Sequence, residues 1–121
     1  MARLRLSAMA QADIVNLLTW TKERFGGPAR ERDERLLSAG LAELLADPER
    51  IGSAARPELG SGVRSYHLRH CRTSARVARP RHLILYRTGE AGSVDVGRVL
   101  HDAMELERHV RFDFSRRRSE E

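Results

Sequence analysis

Apolar positions near the start of the chain first follow a period of two and then a period of three to four. Arg3-Leu4-Arg5-Leu6 alternates charged and apolar residues, the pattern of a short strand with one buried face. Ser7 stands where a helix N-cap belongs, its hydroxyl able to accept a free backbone N–H of the first turn. From Ala8 to Phe25 the residues Ala10, Ile14, Leu17, Leu18, Thr21 and Phe25 recur at three- and four-residue spacing, which predicts one face of an amphipathic helix. Gly26-Gly27 ends it, and Pro28 opens a second helix at a position that needs no N–H. That helix runs to about Ala46, with Leu37, Gly40, Leu41, Leu44 and Leu45 on its inner side. A two-glycine joint between amphipathic helices implies an antiparallel helical hairpin. Gly40 costs about 1 kcal/mol against Ala inside a helix, so it points to a close helix approach.

Asp47-Pro48 stops the second helix, and residues 49–62, rich in Gly, Pro and Ser with no apolar period, read as a loop. Val63 to Leu68 follows as a strand, with Arg64, Tyr66 and Leu68 on one face and Val63, Ser65 and His67 on the other. Arg69 to Arg81 is too polar for a core and too long for a tight turn, so it is expected to be an exposed loop. Two β-rich runs, His82 to Tyr86 and Ser93 to Leu100, flank Thr88-Gly89-Glu90-Ala91-Gly92 and predict a hairpin that leads into a short C-terminal helix. The class is α+β: an antiparallel sheet packed against an N-terminal helical hairpin. Residues 1–114 form the expected single domain, and SRRRSEE, residues 115–121, an expected disordered tail.

A chain of 121 residues can remove roughly two-thirds of its unfolded surface from water without disulfides or metals. Cys71 is the only cysteine, which excludes an internal disulfide and a CxxC-type metal site, and it is expected to be a spectator thiol in a loop. No apolar run approaches the ~20 residues that span a bilayer, and MARLRL lacks the apolar core of a signal peptide, so the cytoplasm is the expected compartment. No cofactor, metal, membrane or small-molecule substrate is implied.

The distribution of charge narrows the picture further. Residues 1–60 hold nine basic and nine acidic residues, whereas residues 61–121 hold thirteen and eight, which accounts for the net charge of +5. Seven arginines and no carboxylate lie between Arg64 and Arg87. Such a segment attracts a polyanion or an acidic protein chain, and the planar guanidinium suits bidentate pairing with carboxylate or phosphate.

Several strings resemble, in order and spacing, the ParE toxins of the RelE/ParE superfamily of bacterial toxin–antitoxin pairs: LSAMAQADI, FGGPA, LADPERIG, RPELGSGVRSYHLRH, HLILYR and VGRVLHDAMELERHV. The resemblance covers about residues 3–110. It implies a β-α-α-β-β-β fold and an antitoxin partner, ParD-like, whose acidic C-terminal segment wraps the toxin. The superfamily holds two chemistries. RelE-like members cleave mRNA on the ribosome with clustered basic side chains and a Tyr, His or Glu, whereas ParE-like members inhibit DNA gyrase by binding it. This sequence has no Lys after Lys22 and carries Phe112 and Phe114 where a nuclease would place a Tyr. It therefore reads as a gyrase-directed toxin without catalysis, with the ribosome-dependent endoribonuclease as the alternative. A basic nucleic-acid-binding module is a third possibility, which a shortage of exposed aromatics for base stacking weakens.

If the chain were a nuclease, Arg64, His82, Tyr86, Arg98 and His101 would be its catalytic set, a His near arginines acting as acid or base on a ribose hydroxyl. For antitoxin or target binding, the second half offers Arg64, Tyr66, Arg69, Arg72, Arg76, Arg79 and Arg81. The last strand and helix add Arg98, His101, Met104 and His109. Structural roles compete at each position; Arg98 is expected to pair with Asp95, Asp102 or Glu105.

Overall fold

The computed structural model of the chain describes residues 3–71 and 79–103. Strand β1 (Leu4–Leu6) leads into helix α1 (Ala8–Phe25) and helix α2 (Gly27–Ala46). Four strands follow: β2 (Ser53–Ala55), β3 (Arg64–His67), β4 (His82–Thr88) and β5 (Val94–His101). They form one sheet in the order β1-β5-β4-β3-β2.

The joint between β1 and α1 shows how a few residues set the geometry. Ser7 Oγ accepts the Ala10 N–H at 2.9 Å, capping the helix as predicted, and donates to the Gly97 carbonyl at 2.7 Å. One buried hydroxyl therefore starts α1 and ties it to β5. At the other end of α1, Gly26 takes φ +91, a conformation open to glycine, and lets the chain reverse into α2. Thr21 donates to Asp33 across the helix pair at 2.8 Å.

The sheet is mixed rather than antiparallel, because β1 runs parallel to β5, with Leu4 opposite Val94 and Leu6 opposite Val96. The alternation in Arg3–Leu6 reports a buried face and carries no information about the direction of the neighbouring strand. Within the expected loop 49–62, Ser53–Ala55 pairs antiparallel with β3 as an edge strand, too short to display a period, and Pro57–Leu59 makes a 3-10 turn. The remaining pairs are antiparallel as expected, with one bulge where the register steps from Leu85–Arg98 to Tyr86–Val96.

Core packing follows the predicted faces with two corrections. Leu17, Leu18, Leu37 and Leu44 from the helices meet Tyr66, Ile84, Tyr86, Val96 and Val99 from the sheet, all buried. Complete burial of such side chains contributes roughly 1.5–3 kcal/mol each. Phe25 departs from the predicted face and is 66% exposed, because it closes the last turn just before the chain reverses at Gly26. Gly40 marks a close approach, but of helix to sheet: a Cβ there would lie 2.6 Å from Leu68 Cδ2 and 3.5 Å from Ile84 Cδ1. On the opposite face of the sheet Val63, Leu83, Leu85 and Leu100 form a second buried cluster with Leu59.

The expected exposed loop Arg69–Arg81 begins as a 3-10 turn, Leu68–Cys71, and both of those end residues are buried. Cys71 is thus a core thiol rather than a loop spectator, and burial, helped by Glu43, pushes its pKa up to about 11. It stays protonated and unreactive at neutral pH. Arg72, Arg76, Met104, His109, the expected C-terminal helix and the tail 115–121 lie outside the described residues. No described helix is long and apolar enough to cross a membrane.

Candidate functional site at the open end of the sheet

Strand β1 is three residues long and pairs only with Val94–Val96, so among the described residues the rest of β5 has no strand beside it on that side. A carboxylate from α1 takes the place of the missing neighbour. Asp13 Oδ2 accepts the Val99 N–H at 3.0 Å, and the Arg98 guanidinium grips both Asp13 oxygens at 2.6 and 2.8 Å. Both side chains are about one-eighth exposed, 12% and 13%. Arg98 therefore pairs with Asp13, a partner from outside the expected set of Asp95, Asp102 and Glu105, the last of which lies outside the described residues. Of those, Asp95 is held by Arg5 at 2.9 Å and Asp102 by Arg81 and His67. The partner came from a helix more than eighty residues away, which a local search along β5 cannot find.

Next to this edge, His82 and His101 face each other across β4 and β5, their rings edge to face with centroids 5.2 Å apart. Burial pushes His82 down to about 4, and the neighbouring His101 adds to the effect. His82 is therefore neutral at pH 7. His101 Nδ1 accepts the Ala103 N–H at 3.0 Å.

A three-way clamp fixes the end of β5. Arg81 donates to Asp102 Oδ1 from Nε and Nη2 at 3.1 and 3.0 Å, and the Asp102 N–H returns to the Arg81 carbonyl at 2.8 Å. His67 Nδ1 accepts the Arg69 N–H, so its Nε2 carries the proton and donates to Asp102 Oδ2 at 2.9 Å. Hydrogen bonds from Arg81 and then His67 hold the Asp102 carboxyl down at about 2.

The two histidines stand where two grooves meet. The larger, about 600 Å³, has Trp20, Phe25, Leu36 and Pro80 on its walls, with Arg32, Arg79 and Arg81 around it. The smaller, about 310 Å³, shares Trp20, His82 and His101 and runs to the Asp13–Arg98 pair. Trp20 is 50% exposed and sits edge to face with Phe25 at 5.7 Å, while the Arg24 guanidinium lies 5.2 Å over its indole. Exposed aromatics grouped with arginines are the composition of an interaction surface. The sequence holds one signal for this: Trp20, the only tryptophan, falls off the apolar face of its helix. Nothing in local spacing singles out Asp13, Arg32 or Asp102.

The five residues of the conditional catalytic set separate into two groups. His82, Arg98 and His101 line the smaller groove. Arg64 and Tyr86 pair across β3 and β4, and along β4 Tyr86 lies about 13 Å from His82 at ~3.3 Å per residue. Arg64 Nε donates to Ser53 Oγ at 2.8 Å, Ser53 bonds Tyr86, and the fully buried Tyr86 hydroxyl donates to the Pro48 carbonyl at 2.5 Å. This network anchors the end of α2 and strand β2 to the sheet. Of the binding candidates, Tyr66 is fully buried, its hydroxyl donating to Glu43 at 2.8 Å, whereas Arg69, Arg79 and Arg81 are exposed. Among the described residues no cluster of three or more His, Cys, Asp or Glu is placed to hold a metal ion.

A helical hairpin on a five-stranded mixed sheet, with an aromatic and basic groove at its open end, defines a small α+β domain of the RelE/ParE type. Residues 4–106 match the family of the ParE toxin of type II toxin–antitoxin systems, parDE, and the chain belongs to that family. It is similar to Toxin ParE1 of Mycobacterium tuberculosis, in strain CDC 1551 / Oshkosh and in strain ATCC 25618 / H37Rv. Each is 30% identical over 109 residues, covering 90% of this chain and 98% of the relative.

Proposed function

We propose that this chain is the toxin of a type II pair that acts in the cytoplasm by binding protein, with DNA gyrase as its target and a ParD-like antitoxin with an acidic C-terminal segment as its neutraliser. The observation that carries this reading is the groove at the open end of the sheet, where an exposed Trp20–Phe25 pair lies among arginines. Apolar contact area and cationic rim together suit an acidic segment that folds as it binds.

The non-catalytic form of the reading is supported by how the conditional catalytic side chains are held. Arg98 is gripped by Asp13, Tyr86 is buried on Pro48, and Arg64 is directed to Ser53. Supercoiling by purified gyrase, with and without the toxin refolded away from its antitoxin, tests the proposal. Loss of supercoiling with accumulation of cleaved DNA is expected. Unimpaired supercoiling together with mRNA cleavage on translating ribosomes, abolished by His101→Ala, would overturn it in favour of the endoribonuclease.

A further inference from the structure

The cations in and beside the two grooves fall into two sets. Arg81 is committed to Asp102, Arg98 to Asp13, and Arg24 to the face of Trp20. Arg32, on α2, and Arg79, just before β4, are exposed and make no ion pair with any described residue. Trp20, Phe25, Leu36 and Pro80 line the same groove as these two arginines and give it apolar surface.

Resting on the antitoxin reading above, we infer that this groove seats an antitoxin segment presenting a bulky apolar side chain flanked by carboxylates, and that Arg32 and Arg79 determine its specificity. The apolar side chain packs against Trp20 and Phe25, and water leaves the surface those two rings now expose. Carboxylates on either side then meet two guanidinium groups that no described acid neutralises, in charge-assisted and, where geometry allows, bidentate pairs. Arg81 and Arg98 keep their internal partners and so contribute structure rather than recognition. A single-stranded nucleic acid would find aromatic faces here too. It is disfavoured because the lining includes aliphatic Leu36 and Pro80, which offer no face for a base to stack on.

The test uses the full chain, the full-length fluorescently labelled antitoxin encoded beside it, and a labelled single-stranded oligonucleotide as the competing probe. Arg32→Glu and Arg79→Glu are each expected to weaken antitoxin binding by about tenfold or more and the double variant by about a hundredfold. Arg35→Glu, an exposed arginine of α2 outside this groove, is expected to change it by less than about twofold. Denaturation midpoints of all variants should match the parent, since every substituted side chain is exposed. Tight binding by the parent and equally tight binding by the double variant would overturn the groove assignment while leaving the antitoxin reading intact. Failure of the parent to bind the antitoxin would overturn both. Oligonucleotide binding that depends on Arg32 and Arg79, with antitoxin binding unaffected, would assign the groove to nucleic acid instead.

Discussion

The two ends of strand β5 are built from the same kinds of residue and do opposite things. At the Val94 end β1 lies alongside, and Asp95, 2% exposed, receives Arg5 Nε at 2.9 Å, with the Ser93 hydroxyl beside it. The ionic group there is enclosed by strands on both sides. At the His101 end β1 has run out, a helix carboxylate caps the bare edge, and Trp20 and Phe25 stand in water next to arginines. An arginine sealed against a buried acid stabilises and orients the fold. An arginine left without an acid beside an exposed aromatic is available to another molecule. The length of β1, three residues, sets where one regime gives way to the other.

The sharpest break of that comparison is at the sealed end. Asp95→Ala leaves Arg5 without its acid in a mostly buried position and should lower the unfolding free energy by about 3–5 kcal/mol in urea titrations. At the boundary, Asp13→Ala removes both the Arg98 partner and the acceptor of the Val99 N–H. A loss of about 2–3 kcal/mol is expected there, with faster hydrogen exchange at Val99. A change under about 0.5 kcal/mol would show that the edge is capped by something else.

A pH titration of stability probes the His101 end as well. His82 has its pKa pushed down to about 4 by burial, against an ordinary value of 6.5. The fold therefore favours the neutral ring, and this contribution is fully present above pH 6.5 and lost as the pH falls toward 4. Lowering the pH from 7 to 5 should cost about 1–2 kcal/mol, and His82→Gln should flatten that slope. Asp102, held at about 2, stays ionised throughout this window; its contribution disappears only as the pH falls from about 4 to 2. Away from both ends, Gly40→Ala gains helix propensity of about 1 kcal/mol but presses a Cβ against the buried Leu68. A net loss of about 1 kcal/mol in the same titrations is expected.

The sequence made the stable parts legible to the extent that they are periodic. The helix faces, the Ser7 cap, the reversal at Gly26-Gly27 and the β4–β5 hairpin all follow from local spacing and turn chemistry. Strand β2 was invisible because three small residues cannot show a period, and the parallel pairing of β1 because direction is a property of the neighbour. The site was less legible for a related reason. Its defining contacts, Asp13 to Arg98 and Asp102 to Arg81 and His67, join residues 85, 21 and 35 positions apart. The Arg-rich second half draws attention to charge, yet only the fold distinguishes Arg79 from Arg81, close in sequence with different commitments. Phe25 carries the same lesson, since its spacing fits the buried face and the turn after it puts the ring in solvent.

The smallest expected effect on stability belongs to the open end, and there the proposed function predicts the greatest effect on binding. Trp20→Ala combined with Phe25→Ala, both rings half or more exposed, should shift the unfolding free energy by about 1 kcal/mol or less. The direct measurement is the affinity of this double variant for the antitoxin, taken alongside its urea midpoint. The account predicts a near-parental midpoint and binding weakened by about thirtyfold or more, as for loss of a hot spot. Parental affinity in a variant that folds normally would contradict the assignment of the open end of the sheet as the partner's seat.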